Sequence, residues 1–438
     1  MNKKLIAVAV AGMFAAPAAF AQTTVTITGK LIGSAGNYSI GGRAAGTTGA
    51  SSEVLLRDES SRIIFLLRED LGGGMAAIGK FDLRPSITDT GAIGNTGESY
   101  VGLTSPTWGT IALGRFDFHY GSHASYTGTH GGLLTNPTAL FDVAGAGSAA
   151  IANQTRTNNA IRYGSPKWGD MFEVVVGYSS NPTAAGNAPS VILGPVTTST
   201  AGGAAGTAGA TATFNTQNES DLRSIQRKGS AWNIAPKLYG KNWEVGYSYW
   251  TAKPDLAMNT AITTATFAAF GPTTVVKHRG DSLYGTYVWG GFRVGLAWNR
   301  SKIDTTNITA AAINSGLLNI AAGGTGTTSN RTVWGLPLAY TWGNHNIYGD
   351  FYRARADKSA SFAGLDTKAN FVGVTYAYDM SKRTTAAISY SRIRNGANAA
   401  FNLFGVASPG GSAANGNVQG VAAGEDPRYV AVTLQHRF

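Results

Sequence analysis

The chain has 438 residues, 43% of them hydrophobic and only 13% charged, with 58 glycines, no cysteine and a formal net charge of +11. The lack of cysteine excludes a disulfide scaffold, a zinc–thiolate site and a thiol enzyme. A mean hydropathy of −0.05, with no apolar run of about 20 residues past residue 21, excludes a helical membrane protein and leaves a large β protein rich in glycine and aromatics.

The N-terminus reads as an export signal. Lys3 and Lys4 form a basic start, Leu5 to Phe14 an apolar stretch, and Ala19-Phe20-Ala21 a small-x-small site that places cleavage before Gln22. Residues 1–21 are then a removed signal peptide and 22–438 a single domain. Removal takes away two lysines and no acid, so the net charge falls from +11 to +9. A basic balance can mark a nucleic-acid binder, but export argues against a nucleic-acid partner.

Along the mature chain, period-2 alternation recurs, the signature of half-buried strands. Val25, Ile27 and Leu31 alternate with Thr26, Thr28 and Lys30; Ile63, Phe65 and Leu67 with Arg62 and Arg68. Further rows are Val174, Val176 and Tyr178; Trp243, Val245 and Tyr247; Phe292, Val294 and Leu296; Val372, Val374 and Tyr376; and Val430, Val432 and Leu434. Strands are predicted over 24–39, 59–70, 74–84, 97–105, 107–118, 158–166, 169–180, 227–240, 241–253, 277–289, 290–302, 330–343, 344–357, 366–379, 381–395 and 427–438. An even set of about sixteen suits an all-β, antiparallel transmembrane barrel, because a sheet in hydrocarbon has to close on itself to pair every backbone group.

Connections alternate in length. Short turns fall at Ser105-Pro106, Ser165-Pro166-Lys167, Gly240-Lys241, Gly290-Gly291, Gly343-Asn344 and Met380-Ser381. Long loops span about 40–58, 119–157, 181–226, 254–276, 303–329 and 396–426, and the 181–226 and 303–329 stretches are low in complexity. Short periplasmic turns and long external loops are the barrel pattern. Trp108, Trp168, Trp243, Trp289 and Trp342 sit at or beside the short turns, as an aromatic girdle at the membrane boundary requires. A soluble barrel of this size would leave a hollow too wide for side chains to fill.

Several segments together resemble a known family. They are Ser61-Arg62-Ile63-Ile64-Phe65 leading into Glu69-Asp70-Leu71-Gly72-Gly73-Gly74, then Tyr100-Val101-Gly102-Leu103, and Trp108-Gly109-Thr110-Ile111-Ala112-Leu113-Gly114-Arg115. Asn159-Ala160-Ile161-Arg162-Tyr163, Ser381-Lys382-Arg383-Thr384-Thr385 and the terminal His436-Arg437-Phe438 follow. In order and spacing these resemble the general porins of Gram-negative bacteria, most closely the β-proteobacterial type, over nearly the whole mature chain. The resemblance implies a sixteen-stranded homotrimeric barrel in the outer membrane, surrounded by its lipid, through which ions and small hydrophilic solutes diffuse. It also implies that Phe438 belongs to a terminal strand read by the barrel-assembly machinery. His436 departs from the aromatic or apolar residue commoner there.

If apolar rows face lipid, opposite parity faces the lumen. This puts Lys30, Arg62, Arg68 and Arg162 inside, together with Glu173, Glu244 and Arg293; Arg115 is ambiguous because Leu113 shares its parity. By the resemblance, Lys30, Arg62, Arg115 and Arg162 match a basic wall cluster at a pore constriction, whose summed potential would concentrate anions. The alternative is that they are solvated lumen residues far from any narrow point. The facing side is expected from loop 119–157 folded inward, a length that in a compact protein is usually functional. The family's Pro-Glu-Phe element is missing there, and Asp117 and Asp142 are the candidate acids. Few acids against many bases suggests an anion-preferring channel.

Other motifs carry less. His119, His123 and His130 share one loop without fixed geometry, so no metal site is assigned. His130-Gly131-Gly132 lacks a Gly-x-Ser-x-Gly partner, and Gly72-Gly73-Gly74 reads as a hairpin turn. Nothing in the sequence joins Glu173 to Glu244 for acid–base work. No catalytic residue or cofactor is expected, and the chain is not read as an enzyme. The competing readings are a solute-specific channel and a plugged surface barrel acting as an adhesin.

Overall fold

The computed structural model describes residues 23–42, 51–59, 61–88, 97–118, 156–180, 230–253, 270–308, 326–358, 363–399, 401–403, 421 and 423–438. Among these no helix occurs, and seventeen strands follow one another: β1 (Thr24–Gly41), β2 (Ser52–Asp58), β3 (Arg62–Gly72), β4 (Met75–Leu83), β5 (Ser99–Ser105), β6 (Gly109–Asp117), β7 (Arg156–Gly164), β8 (Phe172–Ser179) and β9 (Ser230–Tyr239). They continue with β10 (Trp243–Lys253), β11 (Phe270–Trp289), β12 (Phe292–Ile308), β13 (Gly326–Trp342), β14 (His345–Ala354), β15 (Ala369–Asp379), β16 (Thr384–Asn395) and β17 (Asp426–Arg437).

All belong to one antiparallel sheet that closes through β1 and β17, with Lys30 opposite Arg437 and Gly41 opposite Asp426. β2 and β3 lie end to end along β1: β1 residues 33–39 pair with β2 and residues 24–30 with β3. The break between them is bridged by Glu59 N donating to Ile32 O and by Ile32 N donating to Ser61 Oγ. The seventeen segments are therefore the staves of a sixteen-stranded barrel. At strand spacings of about 4.8 Å and tilts of about 40°, its backbone diameter is roughly 30 Å.

The apolar rows lie on the outside. Leu296, Val432 and Leu434 are more than half exposed, whereas Ser301 and Gln435 on the opposite parity are fully buried. At the short-turn end the outer face carries stacked rings, Trp289 on Phe292, Phe292 on Tyr340, Tyr340 on Trp342 and Trp342 on His345. Trp232, Trp298 and Trp334 lie six to eight residues along their strands from that end. Tyr178 pairs with Trp232 and Trp298 with Trp334, so a second belt borders the apolar band. Turn glycines hold the short connections: Gly72, Gly73 and Gly74 have φ of 80°, 59° and 79°, open to glycine at little cost.

Three loop boundaries differ from the sequence reading. Residues 52–58, expected as loop, pair with β1 as β2. β11 begins at Phe270 rather than 277, and β12 and β13 run into the low-complexity 303–329 stretch, to Ile308 and from Gly326. A sheet edge left by a long neighbouring strand offers backbone partners, which outweigh weak local propensity. The signal segment, residues 119–155 with Asp142 and the three histidines, and all of 181–226 lie outside the described residues.

Candidate functional site

Lys30 and Arg62 are direct cross-strand partners on the inner row of β1 and β3. On β4 the same face carries Lys80 and Asp82, opposite Leu66 and Ile64. Asp82, nearly fully buried, accepts from Arg84 through both oxygens at 2.9 and 3.0 Å, and Arg62 Nη1 stands 3.9 Å from it. Glu98, just before β5, accepts from Lys80 Nζ at 2.9 Å and from Arg162 Nη1 at 3.0 Å. The backbone N–H of Asp117 donates to the same carboxylate at 3.3 Å. The Arg162 guanidinium lies over the rings of Phe116 at 4.3 Å and Tyr100 at 5.5 Å. Charge-assisted hydrogen bonds and ring faces fix such groups in place, so the wall is an ordered lattice of bases cross-linked by two acids.

Arg115 is placed differently. It pairs with Ser99 beside Gly114, whose φ is 152°, where the β6–β7 ladder shifts register. Strict alternation puts it in the row of Ile111 and Leu113, both well exposed, yet its Nε is buried. Asp117 ends β6 opposite Arg156. Arg68 pairs with Thr24 and Ile78 at the short-turn end, and Arg293, opposite Ala339, shares its row with buried Ala297 and Asn299. Phe438 seals the seam: its N–H donates to Gly29 O, and its carbonyl accepts from Gly29 N and from Thr28 Oγ1.

Lys80, Asp82, Arg84 and Glu98 were not singled out from the sequence. The signal was present, since Lys80 and Asp82 oppose the parity of Phe81 and Leu83, but Ala76 and Ile78 in the same row mask it. Glu173 and Glu244, expected to be unrelated, flank β9. Glu173 accepts from Tyr239 Oη and stands 3.8 Å from Lys237, while Glu244 pairs in register with Tyr239 and accepts from Tyr284 Oη. Strand order, invisible in the sequence, brings them to one patch. Among the described residues no three His, Cys, Asp or Glu side chains gather as metal ligands.

Two segments lean into the lumen. Phe118, one residue past β6, is buried against Gly177 on β8 and packs edge-on to Trp250 on β10 at 5.7 Å. With staves about 4.8 Å apart, a side chain reaches β8 and β10 from β6 only if the chain has left the wall on the lumen side. On the far wall, Phe401 and Leu403 join inward-facing Tyr38, Val333, Tyr352, Phe371 and Ile393 in one apolar cluster. Asn395 clamps this segment, accepting from Phe401 N and donating to Phe401 O and Glu425 O. Tyr38 Oη donates to Asn402 at 3.0 Å, and Arg331 lies over the Phe401 ring at 4.4 Å.

A family model described as Gram-negative porin matches residues 7–398. Among solved structures, the anion-selective porin from Comamonas acidovorans is 17% identical with a TM-score of 0.64, the match covering 95% of this chain and 100% of that one. OmpT, an outer membrane protein of Vibrio cholerae in its trimer form, is 10% identical with a TM-score of 0.57, over 95% and 99% of the two chains. OmpF of Salmonella typhi, in complex with daunomycin, is 12% identical with a TM-score of 0.54, over 94% and 97%. At these identities the likeness is one of fold. No curated protein matches.

Proposed function

Because the chain belongs to the Gram-negative porin family, we propose that its water-filled outer-membrane channel passes ions and small hydrophilic solutes with a preference for anions. The inner wall of Lys30, Arg62, Lys80, Arg84 and Arg162, against Asp82 and Glu98, carries this reading. Each acid is already engaged by two bases, so the net potential of the wall is positive, and a confined lumen focuses it on passing ions. Bound dipolar solutes would orient with their negative ends toward this wall. The inward course of Phe118 supports loop 119–157 as the facing side of the constriction, with Asp142 as its acid and Asp117 at its root.

The same reading includes a homotrimer, export through cleavage before Gln22, and recognition of the strand ending in Phe438 by the barrel-assembly machinery. The trimer form of OmpT supports the first by analogy of fold. Planar-bilayer recordings under a salt gradient test the proposal. We expect a reversal potential on the anion side; a clear cation preference overturns the selectivity, and a silent membrane overturns the channel.

A further inference from the structure

Midway up β9–β12 the inner wall is polar but carries no charge. Ser248 lies directly opposite Ser282, and Ser282 directly opposite Asn299. Asn233 on β9 joins this row from the other side, its Nδ2 donating to Ser248 Oγ and to Tyr249 O, both at 2.8 Å. Trp250, directly opposite Asn233, stands one inward step along β10 from Ser248. Ser282 and Asn299 are each seven residues from the turn ends of their strands, roughly 18 Å up a tilted stave. Among the described residues, the nearest charged side chains on the inner rows of β9 and β10 are Lys237 and Glu244. Each lies four residues nearer the turns than Asn233 and Ser248.

Three atoms here are buried without a hydrogen-bond partner: Asn233 Oδ1, Trp250 Nε1 and Ser282 Oγ. Their residues are at most 2% exposed. A buried polar atom left unpaired forfeits its hydration, so the row calls for an occupant, and its chemistry is selective. The amide oxygen accepts, the indole N–H donates, and the hydroxyl does both. An anion would be repelled by the amide oxygen and a cation by the indole hydrogen. An uncharged hydroxyl group suits both, donating to Asn233 and accepting from Trp250 across one strand pair. Ser282 lies two staves from Asn233, roughly 10 Å away. Separate waters can serve the two ends, but a molecule carrying hydroxyls along a chain spans both at once. Along one register row, Gly177 alone separates Asn233 from Arg162 of the basic wall. Phe118 fills the space over Gly177 and packs on Trp250, so this ring closes the row from the β8 side and has to swing aside to admit an occupant.

We propose that Asn233, Trp250 and Ser282 form a binding site for uncharged polyhydroxylated solutes on the lumen wall beside the basic cluster, reached when Phe118 moves. This rests on the channel reading above. The test records single channels of the full chain in planar bilayers at rising concentrations of sorbitol. Gluconate, with the same carbon skeleton and a negative charge, runs in parallel. Sorbitol should reduce the ion current saturably. Ser282→Ala removes one hydroxyl, and Trp250→Phe removes one N–H while keeping a ring. Each should raise the half-saturating sorbitol concentration about fivefold and leave the response to gluconate in place. Phe118→Ala should lower the half-saturating concentration at least twofold. A current that falls only in proportion to sorbitol, as bulk viscosity dictates, means that the row holds water alone and overturns the proposal. Equal half-saturation in the natural protein and both polar variants overturns it too, as does a response to gluconate weakened as much as that to sorbitol. An unchanged half-saturation in Phe118→Ala overturns the role given to that ring. A silent membrane removes the channel itself, whereas an open channel without saturation removes only this site.

Discussion

The two inner walls of the barrel are built on opposite principles. From β1 to β7 the lumen surface is ionic, with Asp82 and Glu98 each tying two bases into place. From β11 to β17 it carries an apolar patch, with Tyr284, Val333, Tyr352, Phe371 and Ile393 turned inward and capped by Phe401, set among buried polar groups such as Asn299, Asp350 and Gln435. A charged wall acts at a distance through its potential and is tuned by single side chains. A packed wall acts by volume, and removing one ring there opens space. The contrast teaches that one channel can divide its work, discriminating charge on one side and narrowing the passage on the other.

The comparison can be broken at its strongest point first. Arg162→Glu sets a second carboxylate beside Glu98, which now accepts from Arg162 at 3.0 Å. We expect the anion-to-cation permeability ratio to drop by about tenfold, a change of about 1.4 kcal/mol in relative barrier. An unaltered reversal potential would detach this arginine from the ion path. On the packed wall, Phe401→Ala and Asn395→Ala should release the capping segment and raise single-channel conductance by about 1.5-fold with selectivity unchanged. Unchanged currents through correctly closed barrels would show that this segment does not border the passage.

A smaller effect should sharpen the ionic side. Glu98→Gln keeps the shape but removes one negative charge, and the permeability ratio should shift toward anions by about 1.5-fold. A shift toward cations in salt-gradient recordings would mean that the released Arg162 swings away from the lumen. Smallest of all, Trp289→Ala, on the outer face at 73% exposure, should lower stability in bilayers by about 1 kcal/mol. Its reversal potential should equal that of the natural protein, because it touches neither wall; a changed potential would contradict its lipid-facing place.

Most of the barrel was legible because lipid outside and water inside impose alternation on every stave. Val25, Val174 and Val430 announce their strands without help from neighbours. What alternation cannot convey is which residues meet across strands. Glu98 precedes its strand, and its two partners come from 18 positions before it and 64 after. The Phe401 cap was hidden in a loop rich in glycine and alanine, where Phe-Asn-Leu-Phe at 401–404 was the one dense apolar signal. Parity, not total charge, sorts the bases: Lys30, Arg62 and Arg162 lie on the inner rows, whereas Arg300, Arg353 and Arg394 stand outside.

The seam between β1 and β17 joins Lys30 to Arg437, neighbours in space that are about as far apart in sequence as this chain allows. Until that last zipper forms, the growing sheet has two raw margins, each a row of unsatisfied amides open to any stray strand. Contacts of such long range form slowly, since the ends must find each other before any reward arrives. As long as that seam stays open the two margins stay exposed, so the step that makes the cylinder watertight is also the one that protects it from stray pairing.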